Sequence, residues 1–488
     1  MTTLHAVAGY LPGFRTEELA WQTLHFEGRG ERLEVAVPEL SPAQWVALAE
    51  RVKQGSRAYL KTRTVSQIMA VVDRAVARLL DPADPWRQQA DRLLPLVTGF
   101  DAEMVRLGLT AYLKTFRQPQ LQRFVAEDFA NPKLLDEFQP RPKGGFAKAM
   151  GPDLLVHVWA GNVPGLPIWS LISGLLVKAG NIGKLPGAEP LFAGWFARLL
   201  VEEDPGLAEC LAVGWWKGGD AAREQALFAQ ADVVLAYGGN AALQAVRQQV
   251  PVTTRFLGYG HKLSFGMVSR AALDARKAQG TAHLAAYDVV RYDQQGCYSP
   301  QLFYVERGGK VSPRDFSQYL AHELASFEHK FARRVLPLDE AASVARWQQA
   351  QEMQLFAQPG NALIGEAGAP WRVAYADQLQ LQPLAPRALN RTEQVVAVDR
   401  LEDGVPVIGR SRAFLQTVGL AAAPAELFAL AEALGRAGVT RISALGAMTA
   451  PEAGWHHDGR FNLLDLVQMV EIEQSAELAA ERFAPYAD

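Results

Sequence analysis

The chain has 488 residues, 49% hydrophobic and 21% charged, with a formal net charge of −3 at pH 7. That length exceeds a single core, so two or three domains are expected, and the near-neutral balance gives no basic surface to recruit nucleic acid. Two cysteines exclude a disulfide framework and point to a reducing, cytoplasmic compartment. The start, "MTTLHAVAGYLPGFRTEE", lacks a basic segment followed by an apolar run, so no signal peptide is expected. The most apolar stretch, "VPGLPIWSLISGLLVKAGN", is broken by two prolines and a lysine and falls short of the roughly 20 apolar residues of a membrane span.

Residues 1 to about 40 read as short strands and turns. From "SPAQWVALAERVKQGSRAYL" to about residue 130 the apolar period is helical, with Ser41 as N-cap and Pro42 at the first helical position. The texture then changes. "DLLVHVWA" reads as a strand and "SLISGLLVKAG" as a buried helix ending at a Gly180-Asn181 turn. "NIGKLPG", "CLAVGWW" and "DVVLAYGG" read as strands alternating with helices, the pattern of a parallel sheet whose ligands bind beyond the carboxyl ends of the strands. A second α/β pattern, with strands "QLFYVER" and "EQVVAVDRL", occupies residues 261–450. The expected domains are 1–260, a helical region plus a Rossmann-like cofactor domain; 261–450, a catalytic thiol domain; and 451–488, a segment returning to the cofactor and oligomerisation region.

Several positions can carry chemistry. Asn162, in "WAGNVPG" past a strand, offers an amide for an oxyanion or simply takes a turn conformation. Gly238, Gly239 and Asn240, in "AYGGNAALQ", turn a strand into a helix, either as a plain connection or to aim N–H groups at an anion. Lys184, in "KLPG" with Gly187, stands at another strand end, solvated or in reach of a ribose or phosphate. In "WHHDGRFNLLDL", His456, His457 and Asp458 read as a structural loop, an acid/base pair or substrate contact; the spacing does not suit a metal. Cys210 enters an apolar run and reads as core. Cys297, in "RYDQQGCYSPQ", is a buried small residue or a nucleophile.

The ordered set resembles the aldehyde dehydrogenase superfamily. "VHVWAGNVPGLPIWSLISGLLVKAGNIGKLPGAEPLF", "RYDQQGCYSPQ" and "WHHDGRFNLLDLV" resemble the LuxC-type acyl-CoA reductases, over residues 90–475. The resemblance implies an α/β fold of two doubly wound parallel-sheet domains, a helical N-terminal region and a small oligomerisation element. It makes Cys297 the acyl-accepting nucleophile and Asn162 the oxyanion amide, with Gly238, Gly239 and Asn240 at the cofactor's phosphates and Lys184 at its adenosine ribose. His457 is a candidate to depress the Cys297 thiol pKa and, second, to protonate a leaving group.

Two departures from the superfamily pattern bear on chemistry. "GYGHK" puts Gly258 where hydrolytic relatives carry the glutamate that activates water. Gly187 stands where they carry a carboxylate that disfavours a 2′-phosphate. The motif that holds the nicotinamide ribose has no clean match near "LNRTEQVVAV". The reading is NADPH-dependent reduction, with NADH as the other donor, of acyl-CoA or an acylated partner protein to the aldehyde, by a homo-oligomer. The rivals are a hydrolytic NAD(P)-dependent aldehyde dehydrogenase and a redox-inactive transferase subunit acylated on Cys297.

Overall fold

The computed structural model describes residues 2–366, 368–379 and 388–485. They form two compact units: Met1–Thr98, Leu109–Tyr259 and Glu452–Asp488 make the first, and Gly99–Gly108 with Gly260–Pro451 the second.

The first unit opens on a three-stranded sheet, β1 (Thr2–Val7), β2 (Ala20–Gly28) and β3 (Glu31–Glu39), with β3 in the middle. Helices follow, as their period predicts. Ser41 accepts from the Gln44 N–H and Gln44 returns a bond to the Ser41 N–H, a capping box that starts the helix Pro42–Ala58. Strands β4 (Gln139–Pro140) and β5 (Phe146–Met150) pair antiparallel, and the strand Gln468–Ile472 adds to β5, leaving Met150, Met469 and Val470 exposed.

The unit's main sheet contains β6 (Leu154–Val158), β7 (Gly180–Lys184), β8 (Leu211–Gly214), β9 (Val233–Tyr237) and β10 (Arg255–Tyr259). All pairings are parallel, in the order β10-β9-β6-β7-β8. Strands covered on both faces need continuous apolar runs, and "LLVHV" and "VVLAY" supply them. Trp45 and Trp216, edge to face at 4.9 Å, anchor the helix Pro42–Ala58 against this sheet.

One expectation fails locally. Gly180 and Asn181 do not turn; the chain reverses earlier, with Lys178 left-handed (φ 62°), and both residues lie in β7. The buried Asn181 side chain is the reason. Its amide donates to the Ala179 carbonyl at 2.7 Å, and its oxygen meets the His157 ring at 2.9 Å.

The second unit is built on β11 (Leu263–Val268), β12 (Pro300–Glu306), β13 (Ala362–Ile364), β14 (Arg372–Ala376), β15 (Thr392–Val398), β16 (Leu415–Ala421) and β17 (Arg441–Ala444), ordered β13-β14-β15-β12-β11-β16-β17. The sheet is parallel except at β13, which pairs antiparallel with β14. Its core gathers Phe265, Met267, Tyr304, Val396 and Val418. Among the described residues no helix is long and apolar enough to cross a membrane.

Gly183 tests how tightly the first sheet is packed. A Cβ there would lie 1.8 Å from Trp159 Cη2, whose ring is fixed by an indole N–H bond to Ser170. Gly183→Ala is expected to lower stability by about 1–3 kcal/mol, read from the urea midpoint. At Gly187 a Cβ meets nothing within 4 Å, so Gly187→Ala is expected to leave the midpoint unchanged.

Candidate active site

Cys297 stands in the second unit at the amino end of β12, half-buried at the second position of a tight turn that the Ser299 N–H closes onto the Gly296 carbonyl at 2.9 Å. Gly296 has no substitute, because a Cβ there would lie 2.4 Å from the Tyr298 ring. The Cys297 carbonyl accepts from the Ser264 hydroxyl at 2.7 Å, and the same hydroxyl accepts from the Thr417 N–H at 3.1 Å. Ser264 reaches both because the register of β11 shifts between Ser264 and Gly266 against β12. The turn is thereby tied to β11 and β16.

The approach to the turn is unusual. Tyr292, Asp293 and Gln294 are all left-handed (φ 50°, 49° and 64°), and so are Leu389, Asn390 and Arg391 (φ 56°, 57° and 65°), just ahead of the neighbouring strand β15. Each such residue with a side chain costs about 1–2 kcal/mol, so tertiary bonds must hold it. They do. The Asn390 N–H donates to the Asp293 carbonyl at 3.1 Å, and the Arg391 N–H to Gln294 Oε1 at 2.7 Å. Arg391 Nε donates to Asp293 Oδ1 at 2.7 Å and its Nη1 to Glu328 Oε2 at 2.6 Å. Gln294 Nε2 donates to Glu393 Oε2 and to the Pro300 carbonyl, each at 2.9 Å.

Cys210 behaves oppositely. It is fully buried in the first unit, and burial pushes its thiol up to about 12, which leaves it protonated and inert.

In the first unit the expected cofactor residues gather at one sheet edge. Register pairs Val158 with Lys184, Lys184 with Gly214, and Tyr237 with Tyr259, so β6 to β10 end together. The strand order reverses direction between β6 and β9, the crevice where open parallel sheets take ligands. Asn162 is exposed in the loop after β6, and a Cβ on its neighbour Gly161 would lie 2.9 Å from Glu189 N and 3.1 Å from Pro186 Cβ. Thus the Asn162 loop adjoins the Lys184–Glu189 segment. Lys184 is half-buried. Its ammonium lies 5.6 Å from the centre of the Trp216 ring, and burial lowers its pKa against the opposing pull of Glu224. Gly239 starts the helix Asn240–Gln249 with no side-chain cap, and Cβ atoms on Gly187 or Gly239 would find open space. Uncrowded backbone, a helix start and a cation suit a dinucleotide's phosphates and ribose.

His457 belongs to the same unit. Its ring stacks on Tyr259 at 4.5 Å and lies 6.0 Å from Tyr237, the residue before Gly238, while Tyr237 and Tyr259 stack at 5.0 Å. Tyr259 comes from "GYGHK", so that motif, the Gly238 turn and "WHHDGR" converge. His456 approaches the buried carboxyl of Asp128 at 3.8 Å, and Asp128 also accepts from the Leu463 and Leu464 N–H groups. Gly258 lies within β10 and carries no carboxylate.

Three contributors carry no sequence signal. The left-handed runs contain no glycine, and Arg391 lies far along the chain from Asp293. Glu189 is the third: it is 1% exposed, its Oε1 caps the helix Phe192–Glu203 through the Leu191 and Phe192 N–H groups, and burial pushes it up to about 7.

With this geometry in hand, the acyl-CoA reductase (LuxC) family profile matches residues 60–469. A long-chain acyl-protein thioester reductase of Photorhabdus laumondii is 26% identical over 366 residues, covering 74% of this chain and 72% of its own. The Aliivibrio fischeri protein of that name is 26% identical over 388 residues, covering 78% and 77%. Among solved structures, the methylmalonate-semialdehyde dehydrogenase of Oceanimonas doudoroffii superposes with a TM-score of 0.73 at 13% identity over 97% of this chain and 98% of that one. The indole-3-acetaldehyde dehydrogenase AldA of P. syringae, solved with NAD+ and IAA, gives 0.74 at 14% identity over 95% and 96%. These structures establish an aldehyde-dehydrogenase-like fold.

Glu189 makes a pH-dependent contribution of known sign. Between about 4.5 and 7 the folded protein keeps a proton that the unfolded chain has released, so its share of stability falls as pH rises. Glu189→Gln removes that slope. In thermal unfolding at pH 5 and pH 8, the variant is expected to gain on the wild type at the higher pH, by about 2–3 kcal/mol.

Proposed function

The chain belongs to the acyl-CoA reductase (LuxC) family, and from that premise we propose that it reduces an activated acyl group to the aldehyde through an acyl-cysteine on Cys297. The observation that carries the proposal is the contrast between its two thiols. Cys210 is sealed in a core, while Cys297 is half-buried on a turn fastened at its own carbonyl. A strained, over-determined loop around a reactive side chain is the pattern of a built site.

In this reading the Cys297 thiolate attacks the carbonyl carbon of an acyl-CoA or of an acylated protein. The carbon–sulfur bond to the donor breaks and the donor thiolate leaves. Asn162 is assigned the oxyanion that forms in between. The strand ends at Lys184, Gly187, Gly238, Gly239 and Asn240 would hold a nicotinamide dinucleotide. When bound, NADPH supplies the hydride that reduces the acyl-cysteine. Cys297 departs as thiolate and is ready for another acyl group. Gly258 offers no carboxylate to activate water, which lengthens the life of the acyl-cysteine. His457, stacked on Tyr259, is assigned to hold the cofactor end of the unit, with proton donation as its second role. Exposed Met150 and Val470, on one face of the β5 pairing, support assembly into a homo-oligomer.

Two measurements test this. Wild type mixed with a long-chain acyl-CoA, without reductant, is expected to gain one acyl mass mapping to Cys297. Cys297→Ala should show no gain and release no aldehyde, while still quenching NADPH fluorescence; aldehyde formation by that variant would refute the assignment. Gly187→Glu places a carboxylate in open space at the end of β7. It is expected to raise the KM for NADPH about tenfold, by like-charge repulsion with a 2′-phosphate, and to leave that for NADH unchanged. Equal effects on both cofactors would remove Gly187 from the cofactor site.

A further inference from the structure

The ion pair beneath the Cys297 turn is more than core filling. We propose that Arg391 is a positioning residue for Cys297, holding the left-handed run Tyr292–Gln294 in the one conformation that presents the thiol for acyl transfer. The inference rests on Cys297 being the acyl acceptor.

Arg391 is 1% exposed and grips the run at two successive residues. Its guanidinium Nε binds the Asp293 carboxylate at 2.7 Å, and its backbone N–H binds the Gln294 side-chain oxygen at 2.7 Å. Its far nitrogen Nη1 is anchored on Glu328 at 2.6 Å, so the fork is held at both ends and cannot swing away from Asp293. The other Asp293 oxygen accepts from the Arg334 N–H at 3.1 Å. Gln295, two residues before the thiol, donates to Asn390 at 3.1 Å. Asn390 and Arg391 therefore template residues 293–295 bond by bond, while Ser264 fixes Cys297 itself from the other side.

Without the guanidinium, Asp293 loses its buried charged partner, and three non-glycine residues must be held left-handed by the neutral bonds that remain. In this proposal the run then shifts toward the right-handed or extended regions, and Cys297 is carried with it. A displacement of about 1 Å in an attacking atom lowers a rate by about 100-fold. The Glu328 contact and the burial of Arg391 also serve the fold, so the test must separate placement from stability.

The experiment is single-turnover acylation of Cys297 by a long-chain acyl-CoA in Arg391→Met, Arg391→Lys and wild type. Burst amplitude counts competent molecules, and the rate constant reports how well each one is arranged. Arg391→Met is expected to lose about 100-fold in the rate constant, with Arg391→Lys recovering part of the loss through its bond to Asp293. A wild-type rate constant with only a reduced amplitude means that Arg391 serves stability alone, and overturns the proposal. If Arg391→Met yields no competent molecules, the same rate constant is read in Gln294→Met. That variant removes the second grip, together with the Gln294 bond to Glu393, but leaves the Arg391–Asp293 pair intact, and an unchanged value there overturns the proposal equally. Absence of acyl transfer to Cys297 in the wild type would instead defeat the acyl-cysteine reading, and this inference with it.

Discussion

A guanidinium buried to 1% exposure must be paired, because an unpaired charge in a protein interior is far more expensive than any local backbone strain. Arg391 meets that demand with Asp293 on one side and Glu328 on the other. The consequence reaches beyond the pair. The pair forms with residues 292–294 left-handed on one side and residues 389–391 left-handed on the other. Two unfavourable backbone runs thus become one favourable arrangement, at the amino ends of the adjacent strands β12 and β15. Everything that follows along β12, beginning with the Cys297 turn, inherits its starting point from this bond.

The first unit is governed by a different constraint. Parallel strands in register end along one line, and the loops after them are forced into a common row. Residues that are scattered in sequence, Asn162, Lys184 and Gly238, are thereby brought to the carboxyl ends of the strands of one sheet. Small residues keep that row open at Gly187 and Gly239. The polar residues that remain are restrained by aromatic surfaces: Lys184 against Trp216, and His457 against Tyr259. Here the backbone does the gathering and the side chains supply charge and stacking area.

Reading from sequence succeeds where structure is set by short-range pattern. Apolar runs such as "VVLAY" announce parallel strands, Ser41 and Pro42 announce a helix start, and a strand end identifies Asn162 and Lys184 as candidates. It falters where a distant partner decides. Gly180-Asn181 looks like a turn until His157, on the neighbouring strand, captures the Asn181 amide and draws it into β7. Lys184 looks like a free strand-end lysine, but Trp216, 32 positions on, lies beside it. The edge strand β13 runs antiparallel, a property of its partner β14 rather than of "ALI" itself. The Tyr-Asp-Gln run carries no glycine and no turn signal. Its conformation is imposed by Arg391, and no window of sequence contains both.

The same logic bears on why one thiol is suited to chemistry and the other is not. Reactivity needs access and a fixed direction of approach, and burial alone provides neither. Cys210 has the deeper burial and for that reason holds its proton. Cys297 gives up part of its burial to the surface, and the loss of packing has to be replaced by bonds: Ser264 at its carbonyl, the Ser299 closure of its turn, and the charge pair beneath. In the proposed reaction an acyl group held there would be open to whatever nucleophile is best activated. Gly258, which the resemblance sets against the carboxylate of hydrolytic relatives, offers only hydrogen. Holding the thiol rigidly while omitting the water-activating base is a consistent pair of choices. In the proposed reaction the first would speed acyl transfer, and the second would keep the transferred group from being lost to solvent before reduction.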